Sequence, residues 1–209
     1  MAEWDTSECE EPDYLPWVVT LGAVLGLALV LGPLLYAYRL KAAVAIHAQF
    51  HVRPFERAPR FKEEDHDYEA LVVHGPSDAG LAWVAGSLIP RARDTRHRLC
   101  VPDRDFVPGA SAAESYATAV TRSKATVCLL SLDSVHDDWW LYAFQLARAK
   151  NARCPRAKLL LVLLEHVEEA DLPEEVRAFL KTNTYLSVDD RWFWKKFFYY
   201  LPDPPKDVV

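Results

Sequence analysis

The chain has 209 residues and a mass of 23.8 kDa, which is enough for one ordinary domain with a short attachment and too little for two full-sized domains. Hydrophobic residues make up 51% and charged residues 26%, which excludes an intrinsically disordered chain. The net charge of −6 is unevenly distributed, because residues 1–14 carry six acids and no base, residues 39–62 sum to +5, and residues 63–209 sum to about −5. This acidic bulk argues against a nucleic-acid-binding protein.

The first predicted element is a membrane helix. No charged residue occurs between Tyr14 and Tyr38. A helix of that length spans roughly 37 Å, which exceeds a hydrocarbon core of about 30 Å. We therefore predict a single transmembrane helix at 15–38, with residues 1–14 extracellular or lumenal and the rest cytosolic, because bases are retained on the cytosolic side. The acidic start and the long apolar core disfavour a cleaved signal peptide.

Two features flank or lie within this predicted span. Gly22 and Gly26 have the spacing that lets two membrane helices pack closely, so they form a candidate dimer face, although glycine is common in membrane helices for other reasons. Segment 39–66 mixes bases, aromatic residues and two prolines, which predicts a linker. That linker either contacts anionic lipid headgroups or is a plain stop-transfer flank.

After Asp67, short apolar runs alternate with helical segments. The predicted strands are Tyr68–His74, Arg98–Val101, Ala125–Ser131, Lys158–Glu165 and Thr184–Leu186. The predicted helices run from a cap at Ser77 to about Leu88, from Ser111 to about Ser123, and over Ser134–Ala149, Leu172–Lys181 and Trp192–Leu201. This alternation predicts an α/β domain with a flavodoxin-like fold, a central five-stranded parallel sheet flanked by helices, over 67–201, with a tail at 202–209.

The sequence offers little for catalysis or metal binding. HGPSDAG follows the first predicted strand in place of a glycine-rich phosphate loop, and neither a Walker loop nor a nucleophile elbow occurs. The cysteines and the seven histidines lack metal-ligand spacing. Cys100 and Cys128 are interpreted as small buried hydrophobic residues. Cys9 has no evident partner in this chain. His74 ends the first predicted strand, and its role is either structural or catalytic. We expect no catalytic residue, no cofactor and no metal.

The segment LCVPDRDFVPG, Leu99–Gly109, is the most distinctive part of the chain. Pro108 fixes its own φ and Gly109 permits a positive φ, so the loop tip is expected to be rigid. Arg104 and Asp105 can pair at the base. Two interpretations remain for the tip: Phe106, Val107 and Pro108 protrude as a docking surface, or Phe106 folds inward within a structural turn.

These segments resemble the cytoplasmic half of a Toll-like receptor, a membrane helix followed by a TIR (Toll/interleukin receptor) domain. YEALVVH (68–74) is similar to the first family box, with Glu69 and His74 as departures from its usual residues. LCVPDRDFVPG is similar to the second box, and Phe193-Trp194 to the third. The resemblance covers roughly 67–201.

The resemblance implies binding. Receptor TIR domains associate with one another and with TIR-containing adaptors through the BB loop, which by match comprises Arg104, Asp105, Phe106, Val107, Pro108 and Gly109. Trp140 stands where the family has a cysteine and is a possible exposed contact. The expected structural residues of the family boxes are Tyr68, Trp139, Phe193 and Trp194. The expected partners are TIR adaptors, other TIR receptors or a second copy, and membrane lipid, but no nucleic acid.

Two alternatives concern what the protein does in the cell. Some TIR domains hydrolyse NAD⁺ with a glutamate four residues after a motif tryptophan, and Ala143 stands at that position here, so we expect no enzyme. Segment 1–14 is shorter than one leucine-rich repeat of roughly 20–29 residues. We therefore expect a receptor fragment in innate immune and inflammatory signalling, at the plasma membrane or endosome, with a decoy that competes for adaptors or a partner of a separate sensor as alternatives.

Overall fold

The computed structural model describes residues 18–33, 38 and 66–204. Residues 18–33 form a helix, α1, whose side chains are all exposed. Within the described ranges, no helix combines the length and the apolar composition needed to cross a bilayer. The predicted span 15–38 lies only partly within those ranges. Segment 1–14 with Cys9, nearly all of the predicted linker 39–66, and residues 205–209 of the tail lie outside them.

Strands and helices alternate along the folded domain. The strands are β1 (Tyr68–Val73), β2 (Leu99–Cys100), β3 (Ser123–Leu130), β4 (Lys158–Leu163) and β5 (Leu186–Ser187). The helices after α1 are α2 (Asp78–Trp83), α3 (Ile89–Asp94), α4 (Pro102–Asp105), α5 (Ala112–Arg122), α6 (Leu132–Val135), α7 (Asp138–Arg153), α8 (Glu174–Thr182) and α9 (Phe193–Tyr200). A π-helical turn, Val84–Leu88, joins α2 to α3.

All five strands are parallel and lie in the order β2-β1-β3-β4-β5. The predicted five-stranded parallel sheet is therefore confirmed. Parallel neighbours require crossovers, which the helices between the strands supply. Every residue of β3 is buried, because this central strand is covered on both faces.

The sheet separates two hydrophobic clusters. Alternate residues of β1 point to opposite faces, so Ala70 and Val72 join one cluster and Leu71 and Val73 join the other. The first face is covered by the π-helical turn, α3 and α9. The second face is covered by α5, α7 and α8. The domain is thus a three-layer α/β sandwich.

The first helical region is longer than predicted. We expected the helix capped by Ser77 to end near Leu88. Ser77 does cap α2, but helical structure continues to Asp94. In the π-helical turn the Ile89 N–H donates to the carbonyl oxygen of Val84, five residues back. This wider turn places Pro90 in the first turn of α3, where its missing N–H is tolerated.

Two further boundaries differ from the prediction. The expected helix Ser134–Ala149 is divided into the single turn α6 and the longer α7, because the Asp137 side chain caps α7 by accepting from the backbone N–H groups of Trp139 and Trp140. The segment Leu99–Gly109, for which we predicted a rigid loop tip, also contains one helical turn, α4, which begins at Pro102.

Candidate functional site

The base of the BB loop is fixed by Asp105. Its carboxylate accepts a hydrogen bond from the Val101 N–H at 2.7 Å and two from the guanidinium of Arg104 at 2.8 Å. The same guanidinium donates to the carbonyl oxygen of Leu99. Burial alone would raise the pKa of Asp105, but the bonds from Arg104 and Val101 outweigh it, so the pKa lies below its ordinary value. The expected pairing of Arg104 with Asp105 is present.

The tip of the BB loop is a tight turn. The Ala110 N–H donates to the carbonyl oxygen of Val107 at 3.1 Å, and Gly109 has a φ of +86°. Proline followed by glycine in this geometry is the pattern of a type II turn. Val107 is 72% exposed, and Pro108 is exposed beside it. The turn therefore holds a small apolar projection in one conformation.

Phe106 does not belong to this projection. Its ring is half-buried and packs edge-on against Tyr116 of α5, with 5.0 Å between ring centroids. Of the two interpretations of the tip, the inward orientation of Phe106 is the one observed, while Val107 and Pro108 still protrude. Phe106 thus joins the tip to the helix behind it and restrains the loop from below.

A row of aromatic side chains continues from the loop along α5 and α7, and within it Tyr116 is buried while Trp139 is exposed. Tyr116 stacks on Trp139 at 6.0 Å, and Trp139 contacts Tyr142 edge-on at 6.0 Å. Trp139 is 44% exposed. We define the docking surface as the exposed tip Val107–Gly109 together with the exposed ring of Trp139 and the partly exposed rings of Phe106 and Tyr142, with Tyr116 packed beneath them.

The roles expected for the two adjacent tryptophans are reversed. Trp139 was expected to be a core residue and Trp140 an exposed contact, but Trp140 is fully buried. The Trp140 indole donates to the carbonyl oxygen of Leu129 at 2.8 Å, and its ring stacks on Phe144. The prediction for Trp140 as a contact is therefore wrong, and so is the prediction for Trp139 as core.

The helical phase explains this reversal. The buried residues of α7 are Trp140, Ala143, Phe144 and Ala147. They are spaced as i, i+3, i+4 and i+7, the inward face of an amphipathic helix. The sequence alone contained this information. If Trp140 is placed on the buried face of the helix, Ala143, Phe144 and Ala147 fall on the same face, whereas placing Trp139 there does not group them.

A cavity of about 360 Å³ lies between the BB loop and α5. Its lining includes Tyr68, Cys100, Phe106, Thr118 and Arg122. Burial, with a smaller effect of Asp105, raises the pKa of Cys100 to about 12, so this thiol stays protonated at neutral pH. Burial likewise raises the pKa of Tyr68. The cavity therefore offers space beneath the loop, lined in part by a thiol that is protonated at neutral pH.

The third family box lies on the other face of the sheet. Phe193 is 2% exposed in the cluster around α9, and Trp194 stacks on Trp83 at 5.6 Å. The guanidinium of Arg91 lies 4.3 Å from the centre of the Trp194 ring. These residues pack α9 onto the sheet and are not brought together with the BB loop.

The two departures in the first box have polar partners. Glu69 is fully buried, and its carboxylate binds the backbone N–H and the guanidinium of Arg98 and lies 3.7 Å from the ammonium of Lys124. His74 Nε2 lies 2.7 Å from a carboxylate oxygen of Asp103 in α4, a contact without hydrogen-bond geometry, and His74 Nδ1 lies 2.7 Å from the carbonyl oxygen of Gly75. Among the residues described, no group of acidic, histidine and cysteine side chains could hold a metal ion.

Comparison with known proteins places these features in a family. The sequence model of the TIR domain matches residues 77–197. Protein toll of Drosophila melanogaster is 27% identical over 143 residues, and Toll-like receptor 5 of Mus musculus is 34% identical over 141 residues. These matches cover 67% and 62% of this chain, but only 13% and 16% of the two receptors. The chain thus spans a small part of the length of the receptors it resembles.

A solved structure supports the fold. The TIR domain of the Toll-related receptor TRR-2 from Hydra magnipapillata superposes with a TM-score of 0.52 at 23% sequence identity. The match covers 63% of this chain and 96% of that domain. At this identity the similarity concerns the α/β sandwich alone.

Proposed function

This chain belongs to the TIR domain family, and we propose on that basis that it transmits innate immune signals as the cytosolic module of a Toll-like receptor. TIR domains associate with other TIR domains, so the partners are a second copy, other TIR receptors and TIR-containing adaptors. The docking surface is the contact, and Arg104 and Asp105 hold it in place.

The observation that carries this proposal is the rigid exposed tip. Val107 is 72% exposed although it is apolar, and the turn through Pro108 and Gly109 fixes its position. A side chain that is already ordered loses little conformational entropy on binding. Next to it, Trp139 offers a large, partly exposed ring, a residue type enriched at protein interfaces.

We further propose that the chain is anchored in a membrane through the uncharged run at 15–38. What supports this is the sequence: the run has the length of a membrane span, and six bases against one acid follow in 39–62. Gly22 and Gly26 lie four residues apart on α1, and apart from their chain neighbours and the backbone of that helix, no described atom lies within 4 Å of the position a β-carbon would take. They would allow two such helices to pack closely, which would concentrate the attached TIR domains.

Co-precipitation of two differently tagged copies of the full-length chain from cells tests the docking surface. Pro108→His should lower the recovered partner about tenfold, because it removes the residue that fixes the turn. Pro155→His is the matched control, since Pro155 is also exposed in a turn but lies away from the BB loop. An inflammatory reporter in the same cells gives the signalling output.

Equal recovery with Pro108→His and wild type would refute the docking surface. Loss of recovery with both Pro108→His and Pro155→His would also refute it, because the effect would then be unspecific. Recovery without reporter activity in the wild type would favour a decoy that occupies adaptors.

We also propose that the chain works without cleaving NAD⁺. Ala143, at the position expected for the catalytic glutamate, is fully buried on the inward face of α7. Counting from Trp140 instead of Trp139 gives Phe144, which is buried as well. Neither side chain could stabilise a cationic transition state. Incubation of the full-length chain with NAD⁺ should release nicotinamide no faster than buffer, and faster release would contradict the proposal.

A further inference from the structure

Basic and acidic side chains of the folded domain lie at opposite edges of the sheet: the basic ones lie mainly where the strands begin, and the acidic ones lie mainly where the strands end. In a parallel sheet all strands begin at one edge, so the segments that lead into β1, β2, β3 and β4 share that edge. Neighbouring strands lie roughly 4.8 Å apart, so the starts of β2 and β4 are separated by about 15 Å. Residue 66 precedes β1, the strand between β2 and β3, so the chain from the N-terminal segments joins the domain at this same edge.

This starting edge is strongly basic. Among the described residues, its charged side chains comprise nine bases and four acids, an excess of five positive charges, whereas residues 66–204 as a whole carry 17 bases and 19 acids. Three further acids, Glu63, Glu64 and Asp65, precede residue 66 in the sequence and lie outside the described residues. Six of the bases are exposed arginines that precede β2, β3 or β4: Arg93, Arg96, Arg98, Arg122, Arg153 and Arg156. The other bases are Lys124, Lys150 and Lys158, and the acids are Asp67, Glu69, Asp94 and Asp203. We call the six arginines the basic edge.

Pairing within the domain neutralises only part of this charge. Arg122 pairs with Asp67. Glu69 is fully buried and is shared between Arg98 and Lys124, so one negative charge faces two positive ones. Because nine bases face four acids among the described residues of this edge, these pairs leave the described part of the edge with a surplus of positive charge.

Complementing the helix dipoles does not account for all six arginines. A base in the last turn of a helix stabilises that helix, which covers Arg93, Arg122 and Arg153. Arg98 and Arg156 lie beyond the last turn, next to the strand that follows. Arg96 also lies beyond the last turn of α3, so the helix dipole does not explain it. Its φ of +58° falls in the left-handed region where glycine is favoured.

Arg96 occupies the position where many helices end on glycine. The His97 N–H donates to the carbonyl oxygen of Ala92 at 2.8 Å, and the Arg96 N–H donates to that of Arg93 at 3.0 Å. This closing pattern at the end of α3 normally has glycine at the place of Arg96. A charged side chain thus stands there although the backbone favours a residue without one.

The opposite edge, where the strands end, is acidic. The side chains that follow the strands or begin the next helices include Asp103, Asp105, Glu114, Asp133, Asp137, Asp138, Glu165, Glu168, Asp171, Glu174, Glu175, Asp189 and Asp190. The BB loop follows β2 and lies at this acidic edge. The same edge also carries the bases Arg104, Arg191 and Lys195, so by count its acids remain in excess. The BB loop therefore lies at the more acidic edge, and the attachment to the preceding chain lies at the opposite edge.

We propose that the basic edge is a docking surface for the anionic phospholipid headgroups of the membrane that anchors the chain. This inference rests on the proposed anchoring at 15–38. Anionic headgroups attract the basic edge and repel the acidic one, so the domain lies on the membrane with the BB loop directed into the cytosol. Each arginine near such a surface contributes about fivefold in binding.

Cys154 is a native reporter of this contact, since it is partly exposed between Arg153 and Arg156, whereas Cys100 and Cys128 are buried. The full-length chain with Cys9→Ala is reconstituted into nanodiscs of phosphatidylcholine, with or without about a third phosphatidylserine. A bulky neutral maleimide then reacts with Cys154. We expect alkylation about tenfold slower in the anionic discs, with the difference abolished by high salt.

A charge-removal variant and a position control complete the design. Arg96→Gly, Arg153→Gln and Arg156→Gln together should abolish the protection of Cys154, and Arg96→Gly suits the backbone conformation at that site, so this part of the change does not threaten folding. A cysteine at the acidic edge, Asp189→Cys in a chain that also carries Cys154→Ala, should react at the same rate in both kinds of disc. Circular dichroism confirms that the variants are folded.

Alkylation of Cys154 at equal rates in both discs would overturn the inference, as would protection that survives the triple substitution. Protection of Cys154 by added polyglutamate but not by phosphatidylserine would also overturn it, because the basic edge would then bind an acidic protein. Failure to copurify with phosphatidylcholine discs would refute the anchoring alone. In that case Cys154 of the unanchored chain must still be protected by added anionic discs, and absence of that protection would overturn the inference as well.

Discussion

Gly75 and Ser134 approach so closely that a β-carbon on residue 75 would lie 2.8 Å from the Cα atom of Ser134. Gly75 follows β1, and Ser134 lies in α6, where its hydroxyl takes part in a reciprocal cap with Ser131. The contact therefore joins the ends of two neighbouring strands through backbone atoms, which cannot move aside as a flexible side chain could.

Gly75→Ala should lower the free energy of unfolding by about 1–3 kcal/mol, because the added methyl group forces the two segments apart. Gly86→Ala is the matched control: it lies in the π-helical turn, and apart from its chain neighbours and the backbone of its own helical turn, no described atom lies within 4 Å of the added carbon. The control should leave stability unchanged or raise it by up to about 1 kcal/mol. Denaturant unfolding of the full-length chain compares the two, and equal losses would contradict the contact.

The two tryptophans at the start of α7 should respond differently to the same substitution. Trp140→Phe leaves the carbonyl oxygen of Leu129 without its donor and opens a cavity, so we expect a loss of about 2–3 kcal/mol. Trp139→Phe should change stability by less than about 0.5 kcal/mol, since that ring is 44% exposed. Chemical denaturation measures both, and a larger effect at Trp139 would show that the assigned helical phase is wrong.

Substitutions at Val107 and Phe106 should distinguish an effect on self-association alone from an effect on both stability and self-association. Val107→Asp should leave the free energy of unfolding within about 0.5 kcal/mol of wild type but reduce self-association about tenfold, because Val107 is exposed. Phe106→Ala should reduce both, with a stability loss of about 1–2 kcal/mol from the lost contact with Tyr116. Unfolding curves and co-precipitation give the two readouts, and unchanged association in Val107→Asp would count against the docking surface.

Alkaline pH should destabilise the domain partly through Cys100. Burial raises the pKa of Cys100 from 9.0 to about 12, so the folded chain keeps a proton that the unfolded chain releases. This contribution is complete below pH 9.0 and is lost as the pH rises towards about 12. Cys100→Ala should therefore reduce the loss of unfolding free energy by up to about 1.4 kcal/mol per pH unit in that range.

Val101→Ala is the control for the thiol, because it removes buried apolar volume beside Cys100 without removing an ionisable group. It should lower stability at every pH and leave the pH slope unchanged. If the unfolding free energy of Cys100→Ala depends on pH as steeply as that of wild type, the raised pKa of the Cys100 thiol in the folded chain is contradicted.

The sequence predicted the sheet better than the surface. Runs such as that of β3 are apolar throughout because both faces of a central strand are covered, and this signal needs no knowledge of the tertiary structure. Helix ends were less certain, because the wide turn before Pro90 and the cap at Asp137 depend on local hydrogen bonds that composition does not reveal.

The candidate site shows the same limit. The turn at Pro108–Gly109 could be predicted because proline and glycine restrict the backbone by themselves. The orientation of Phe106 could not, because it depends on Tyr116, a residue ten positions away on another element. The sorting of charge between the two edges likewise becomes visible only when the strand order is known.

The outer strands β2 and β5 are each only two residues long. A polypeptide that tried to extend the sheet from either side would find few backbone donors and acceptors to pair with. When copies of this domain are crowded together, edge-to-edge extension of the sheet into fibrils is therefore disfavoured.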